Sequence, residues 1–301
     1  LCLLLCGFQF AQVIVHYPPP PEDLALRETV RKLERRICEA AAHFVPVNRP
    51  IWDALFPDWE AVQPTLDLIA VAEPYDAVAA HSPDGQAHLI FDLIRWSNYA
   101  ELDQLDSIIR NLLTHEITHL LIGHRYPAAD AALESTDYLT RLDAYTFHEG
   151  FAHLLSYQAT EIDCVDWHTP QLTEVAAASR AKLRLALTET DPDRQKQFLE
   201  EAVCGSYYEK FACMCGMLYL ADRWETQGID GLQSAFADYH GFAQRALAFE
   251  FDCKRGRDAN ASLPLLHLLP LLPPEVDRQH DRGVDQRGGE DNEREVPLHL
   301  V

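Results

Sequence analysis

Two histidines and a glutamate stand inside a run of leucines, with Leu112 and Leu113 on one side and Leu120 and Leu121 on the other. A helix turns once in about 3.6 residues, so His115 and His119 leave the same face one turn apart. Glu116 follows at the edge of that face. The leucines mark the segment as core. Burying two imidazoles and a carboxyl there is costly unless they share a partner. Any fold of this chain therefore has to bring a partner to His115, Glu116 and His119.

The flanking sequence predicts how the segment is carried. Asn98 with Glu101 has capping-box spacing and opens a helix expected over residues 99–122, with Gly123 and Pro127 as the stop. Residues 22–44 have helical periodicity, with Leu24, Val30, Leu33, Ile37 and Ala41 on one side. Further helices are expected over residues 136–160, 170–188, 192–226 and 230–250. Residues 87–96, AHLIFDLIRW, are the best strand candidate. Residues 50–60 are aromatic and broken by proline, as in a loop with a short helix. The expected fold class is α+β, predominantly helical, with a small sheet and a helical C-terminal half.

Charge narrows the partners. Aspartate and glutamate number 47 against 25 lysines and arginines, a net charge of −22. That balance repels phosphate backbones and anionic lipid, which argues against nucleic acid and a membrane surface. No apolar run reaches the roughly 20 residues of a spanning helix, so no transmembrane helix is expected. The opening LCLLLCGFQFAQ reads as the tail of a secretory signal peptide, which assigns residues 1–17 to a leader and the protein to the periplasm or the exterior. A buried N-terminal strand is the other reading. A lipid anchor at Cys6 is weaker, because Leu4 and Leu5 precede it rather than small residues. The YPPPP run at 17–21 is a stiff spacer. Residues 262–301 are charged and poor in large apolar side chains, as in a disordered tail, leaving a folded body over residues 18–261. In an exported chain Cys38, Cys164, Cys204, Cys213, Cys215 and Cys253 permit disulfides; buried free thiols fit them equally well.

The His115/His119 pair suits zinc, with Glu116 placed to take a proton from a water at the metal. A catalytic zinc takes three protein ligands and leaves a position for water. His124 does not complete a metzincin pattern, because Ile122 and Arg125 stand where that class has Gly and His. The better third ligand lies in FHEGFAH, residues 147–153. Glu149 is followed by Gly150 and Ala152, small enough to let two helices approach. His153 is one turn after Glu149, placed to hydrogen-bond a ligand from outside the coordination shell. His148 points roughly a hundred degrees away around the helix. His148, His124 and Asp143 are the rivals to Glu149.

HEITHLL followed by HEGFAHLL resembles the gluzincin side of the zinc-peptidase clan, the thermolysin-like and peptidase-MA-like proteins, in a bacterial branch. The resemblance implies a zincin-like catalytic domain with zinc ligands His115, His119 and Glu149 and Glu116 as general base. It also implies a donor to the oxyanion from a later helix, a role that Tyr207 or Tyr208 could fill. The implied activity is metallopeptidase, acting on a peptide or protein substrate. No exopeptidase motif is present, which favours an endopeptidase. Two other readings stay open: a non-catalytic protein stapled by zinc, and a zinc hydrolase of non-peptide amides or esters.

Overall fold

The computed structural model describes residues 10–16, 24–71 and 76–249. Residues 1–9 of the expected leader, the proline spacer, Cys253 and the expected 262–301 tail lie outside the described residues. The chain order is β1 (Gln12–His16), α1 (Leu24–Ala42), α2 (Arg49–Leu55), β2 (Thr65–Ile69), β3 (Ala77–His81), β4 (Ala87–Asp92), α3 (Leu93–Trp96), α4 (Leu105–Arg125), α5 (Pro127–Ala132), α6 (Tyr138–Ser156), α7 (Pro170–Thr188), α8 (Pro192–Val203), α9 (Phe211–Phe236) and α10 (Phe242–Ala248). The class is α+β, mostly helical, with one small four-stranded sheet.

The sheet runs β1-β2-β4-β3. β1, β2 and β4 are parallel, and β3 closes one edge antiparallel to β4 with Ala79 opposite Leu89. Leu66, Leu68, Leu89 and Phe91 are fully buried and seat the sheet on the helices. Residues 12–16, which the sequence reading places in the leader, are a strand: Val13 pairs with Leu66 and Val15 with Leu68. QVIVH is rich in β-branched residues, and pairing along β2 satisfies its backbone.

α1 buries Val30, Leu33, Ile37 and Ala41, as its periodicity requires, whereas Leu24 is exposed. The helix expected from residue 99 begins only at Leu105. The Asn98 side chain bonds the Arg95 carbonyl instead of capping a helix. Trp96 and Tyr99 stack edge to face at 5.8 Å, and the Tyr99 hydroxyl donates to Asp76 at 2.7 Å. The Tyr99–Asp76 bond, 23 residues apart, pins this stretch as turns and overrides the local capping pattern. The helix expected over residues 192–226 is two helices, separated at Gly205, which takes φ +108°. Cys38, Cys164, Cys213 and Cys215 are free thiols, so no disulfide links these four.

α6 and α9 form the closest helix pair. A Cβ on Gly150 would lie 2.9 Å from the Gly216 backbone, and one on Gly216 would run into the Thr146 carbonyl. Beside this crossing Phe147 packs on Phe151, Phe236 and Phe242 with ring centroids 5.1–5.5 Å apart. Burying each such ring contributes roughly 1.5–3 kcal/mol. α4 packs on α6 from another side. Glu149, next to Gly150, is thereby held between α4 and α9. Among the described residues no helix is long and apolar enough to cross a membrane.

Candidate metal centre

α4 carries the histidine pair as its sequence demands. Ile109, Leu113, Ile117 and Leu121 face the core, and the Thr114 and Thr118 hydroxyls are satisfied within the helix by the Arg110 and Thr114 carbonyls. His115 is partly buried and His119 is buried at 3% exposure. Their Nε2 atoms are 3.1 Å apart. Glu149 reaches across from α6, with Oε2 3.6 Å from His115 Nε2 and Oε1 3.5 Å from His119 Nε2. Zinc bonds of about 2.0–2.2 Å in a tetrahedron require ligand atoms about 3.3–3.5 Å apart. The three donors have close to that spacing.

His115, Glu149 and His153 also bring donor atoms within 4.8 Å of one another. His153 Nδ1 lies 3.0 Å from the Glu149 carbonyl oxygen and 3.3 Å from Oε2. A carbonyl only accepts, so Nδ1 carries a proton and cannot ligate a metal through that atom. Its N–H steadies the Glu149 side chain, the supporting role that the spacing predicts.

The electrostatics fit a cation. Burial lowers His115 and His119, and neighbouring imidazoles lower them further, so both rings are neutral and hold lone pairs for a metal. Burial alone would raise Glu149, but the surrounding imidazoles, His119 first and then His153 and His115, outweigh it and hold the carboxyl well below its usual range. The donor set is thus two neutral imidazoles and one carboxylate.

Glu116 sits beside His115 at 7% exposure and faces the backbone amide of Ala79 on the edge strand β3. Its carboxyl is pushed up to about 8, first by burial and then by the Glu149 carboxylate. Folding therefore raises it above its ordinary 4.5, and the metal-free fold keeps a proton that the unfolded chain releases. The stability linked to that proton is complete below pH 4.5 and is lost as pH rises through about 8. The neighbouring histidines act oppositely, so the comparison has to be made at this one site. In metal-free protein, Glu116→Gln should gain thermal midpoint over the parent as pH goes from 5 to 9, by roughly 5–10 °C. A gap that stays constant would show that Glu116 is solvated.

The rivals to Glu149 lie elsewhere or are otherwise engaged. Asp143 accepts the Gly241 and Ala243 amides at 2.6 and 3.0 Å and caps α10. His124 is exposed beside a cleft of about 480 Å³ that His81, Asp130 and Glu134 also line. His148 departs from its expected direction: it is buried, and its ring stacks on His119 with centroids 5.9 Å apart. Burial pushes it down to about 3, so it is a neutral wall behind His119. Of the two tyrosines, Tyr207 packs on the His153 ring at 5.3 Å, whereas the Tyr208 hydroxyl lies 3.4 Å from the Tyr157 hydroxyl. Burial raises both phenols, so both are neutral donors at neutral pH.

One contact has no trace in the motif. The Cys213 thiol on α9 lies 3.6 Å from Glu149 Oε2 and 3.5 Å from the Ala202 carbonyl. The only hint was Gly216, one turn later, which marks this face of α9 for a close helix approach. No family model, curated protein or solved structure matches the chain.

Proposed function

We propose that this chain is a zinc-dependent hydrolase of the gluzincin type that cleaves peptide bonds. The observation that carries the reading is the spacing of His115 Nε2, His119 Nε2 and the Glu149 carboxylate, 3.1–3.6 Å apart, with Glu116 beside them. A zinc ion held by these three side chains would lower the pKa of a water and polarise a carbonyl. Glu116 takes the proton from the attacking water as its oxygen bonds to the carbonyl carbon. The positive charge at the centre opposes the burial that otherwise keeps Glu116 protonated. When the C–N bond breaks, Glu116 returns that proton to the leaving nitrogen. His153 steadies Glu149, and Tyr207 is the tyrosine packed on His153. The edge strand β3, its Ala79 amide turned toward Glu116, lies beside the reacting groups.

A purely structural zinc would need a fourth protein ligand in place of water. His153 is the neighbour nearest to that role; with its Nδ1 proton given to Glu149, it could ligate only through Nε2. A buried carboxyl at Glu116 also has no task in a staple. The deciding experiment is metal analysis of purified protein with cleavage of casein and a peptide library. One zinc per chain, with cleavage abolished by a chelator and restored by zinc, is expected. Zinc without cleavage of any peptide would favour the staple or a non-peptide substrate.

A further inference from the structure

A cleft of about 480 Å³ opens between β3, the C-terminal half of α4 and α5. Its place in the fold joins it to the reacting groups. Glu116, Leu120 and Gly123 stand at i, i+4 and i+7 on α4, so they form a row on one face. Glu116 begins the row, and Leu120 and Gly123 line the cleft. β3 packs along the same helix, with the Ala79 amide toward Glu116 and His81, two residues on, at the cleft. One helical turn advances about 5.4 Å, so the cleft opens roughly one to two turns from the proposed base. An extended peptide rises about 3.3 Å per residue. A substrate laid along β3 with its reacting carbonyl at Glu116 therefore brings a side chain about two or three residues away to the cleft.

The lining is apolar at its walls and acidic within. Leu120 and Leu133 supply the walls, and Asp130 and Glu134 carry the charge. A Cβ on Gly123 would lie 2.9 Å from Asp130 Oδ1, so the glycine leaves the room in which that carboxylate lies against α4. Asp130 is partly buried and Glu134 is exposed, and neither side chain has a hydrogen bond or ion pair among the described residues. Burial raises the Asp130 carboxyl from its ordinary value, a penalty that a cation beside it would offset. No lysine or arginine lines the cleft; its other titratable side chains are His81 and His124. A basic side chain has the shape for such a place, with an aliphatic stem for the leucines and a charged head for the carboxylates.

We infer that the cleft is a substrate subsite for a lysine or arginine side chain, selected by Asp130 and Glu134. The inference rests on the proposed peptide-bond hydrolysis and names the class of substrate it acts on. The test sequences the cleavage sites in the peptide library with zinc-loaded protein. A basic residue should be enriched at one position within about three residues of the cleaved bond. Peptides differing only there, with lysine, arginine or norleucine, should show kcat/KM about 10–100-fold higher for the basic pair, the range for hydrogen bonds to a charged group. Norleucine has the stem without the charge. Asp130→Asn combined with Glu134→Gln keeps the shape of the lining and should bring that ratio close to unity. Glu134→Lys, at an exposed position, should favour glutamate in the peptide instead. Calorimetry of the same peptides on Glu116→Gln should show the preference in Kd, and its loss when the two carboxylates are also replaced.

Cleavage with no basic preference near the bond overturns the inference and leaves the hydrolase reading intact. So does a preference that survives Asp130→Asn with Glu134→Gln, which would place the selecting groups elsewhere. A wild-type chain that takes no zinc and cleaves nothing overturns the hydrolase reading, and the subsite goes with it.

Discussion

His119→Ala should leave the chain without stoichiometric zinc and without hydrolytic activity. The substitution removes one of three proposed protein ligands, and the one with the least water available to replace it, since His119 is 3% exposed. Losing a group that merely supports a ligand weakens metal binding about 10–100-fold; losing the ligand should exceed that. His115→Ala should behave alike. The measurement is zinc per chain after dialysis against a competing chelator, with circular dichroism showing that the helices remain. Because metal binding adds to folding free energy, the wild type should lose thermal stability on zinc removal and His119→Ala should not respond to zinc. A His119→Ala protein holding one zinc at wild-type affinity would place the metal elsewhere, and the cluster of His115, Glu149 and His153 would be the alternative to examine.

Glu116→Gln should separate metal binding from chemistry. Glutamine matches glutamate in size and keeps the acceptor that faces the Ala79 amide, but it cannot take a proton from water. Zinc content should be unchanged while kcat falls by about 10²–10⁴, the usual contribution of general acid–base catalysis. Loss of zinc would instead make Glu116 a ligand. Full activity would assign the base to another group. The same variant is expected to be the more heat-stable protein at alkaline pH when metal-free, so a loss of rate cannot be attributed to unfolding there.

The local parts of this centre were legible because each is decided within one or two helical turns. His115 and His119 share a face, Glu116 adjoins it, and His153 meets Glu149 one turn back; the structure has all of these relations. The buried stripe of α1 follows from periodicity in the same way, and α7 spans the residues expected of it. Element boundaries were less legible where distant residues intervene. The Asn98/Glu101 pattern did not open α4, because Tyr99 is held by Asp76. β3 reads AVAAH, with little to mark a strand, and it becomes one through its ladder with β4. Residues 12–16, read with the leader, form a strand because β2 supplies their partner.

The chemistry available at the centre, two imidazoles and a carboxyl on one turn of helix and a second carboxyl with its histidine on another, belongs to the sequence by itself. Helical repeat is a property of the local backbone and needs no tertiary information. Which side chain would complete the centre was a different matter: the sequence favoured Glu149 for its small neighbours and left Asp143, His148 and His124 as rivals along the chain. The tertiary structure separated them: Asp143 went to the α10 amides, His148 to the wall behind His119 and His124 to an outer cleft, while the Gly150–Gly216 contact brought Glu149 between α4 and α9. The same contact set Cys213 on Glu149. Pairings of that kind depend on how helices far apart in sequence cross, and the spacing of residues along either helix carries no record of the crossing.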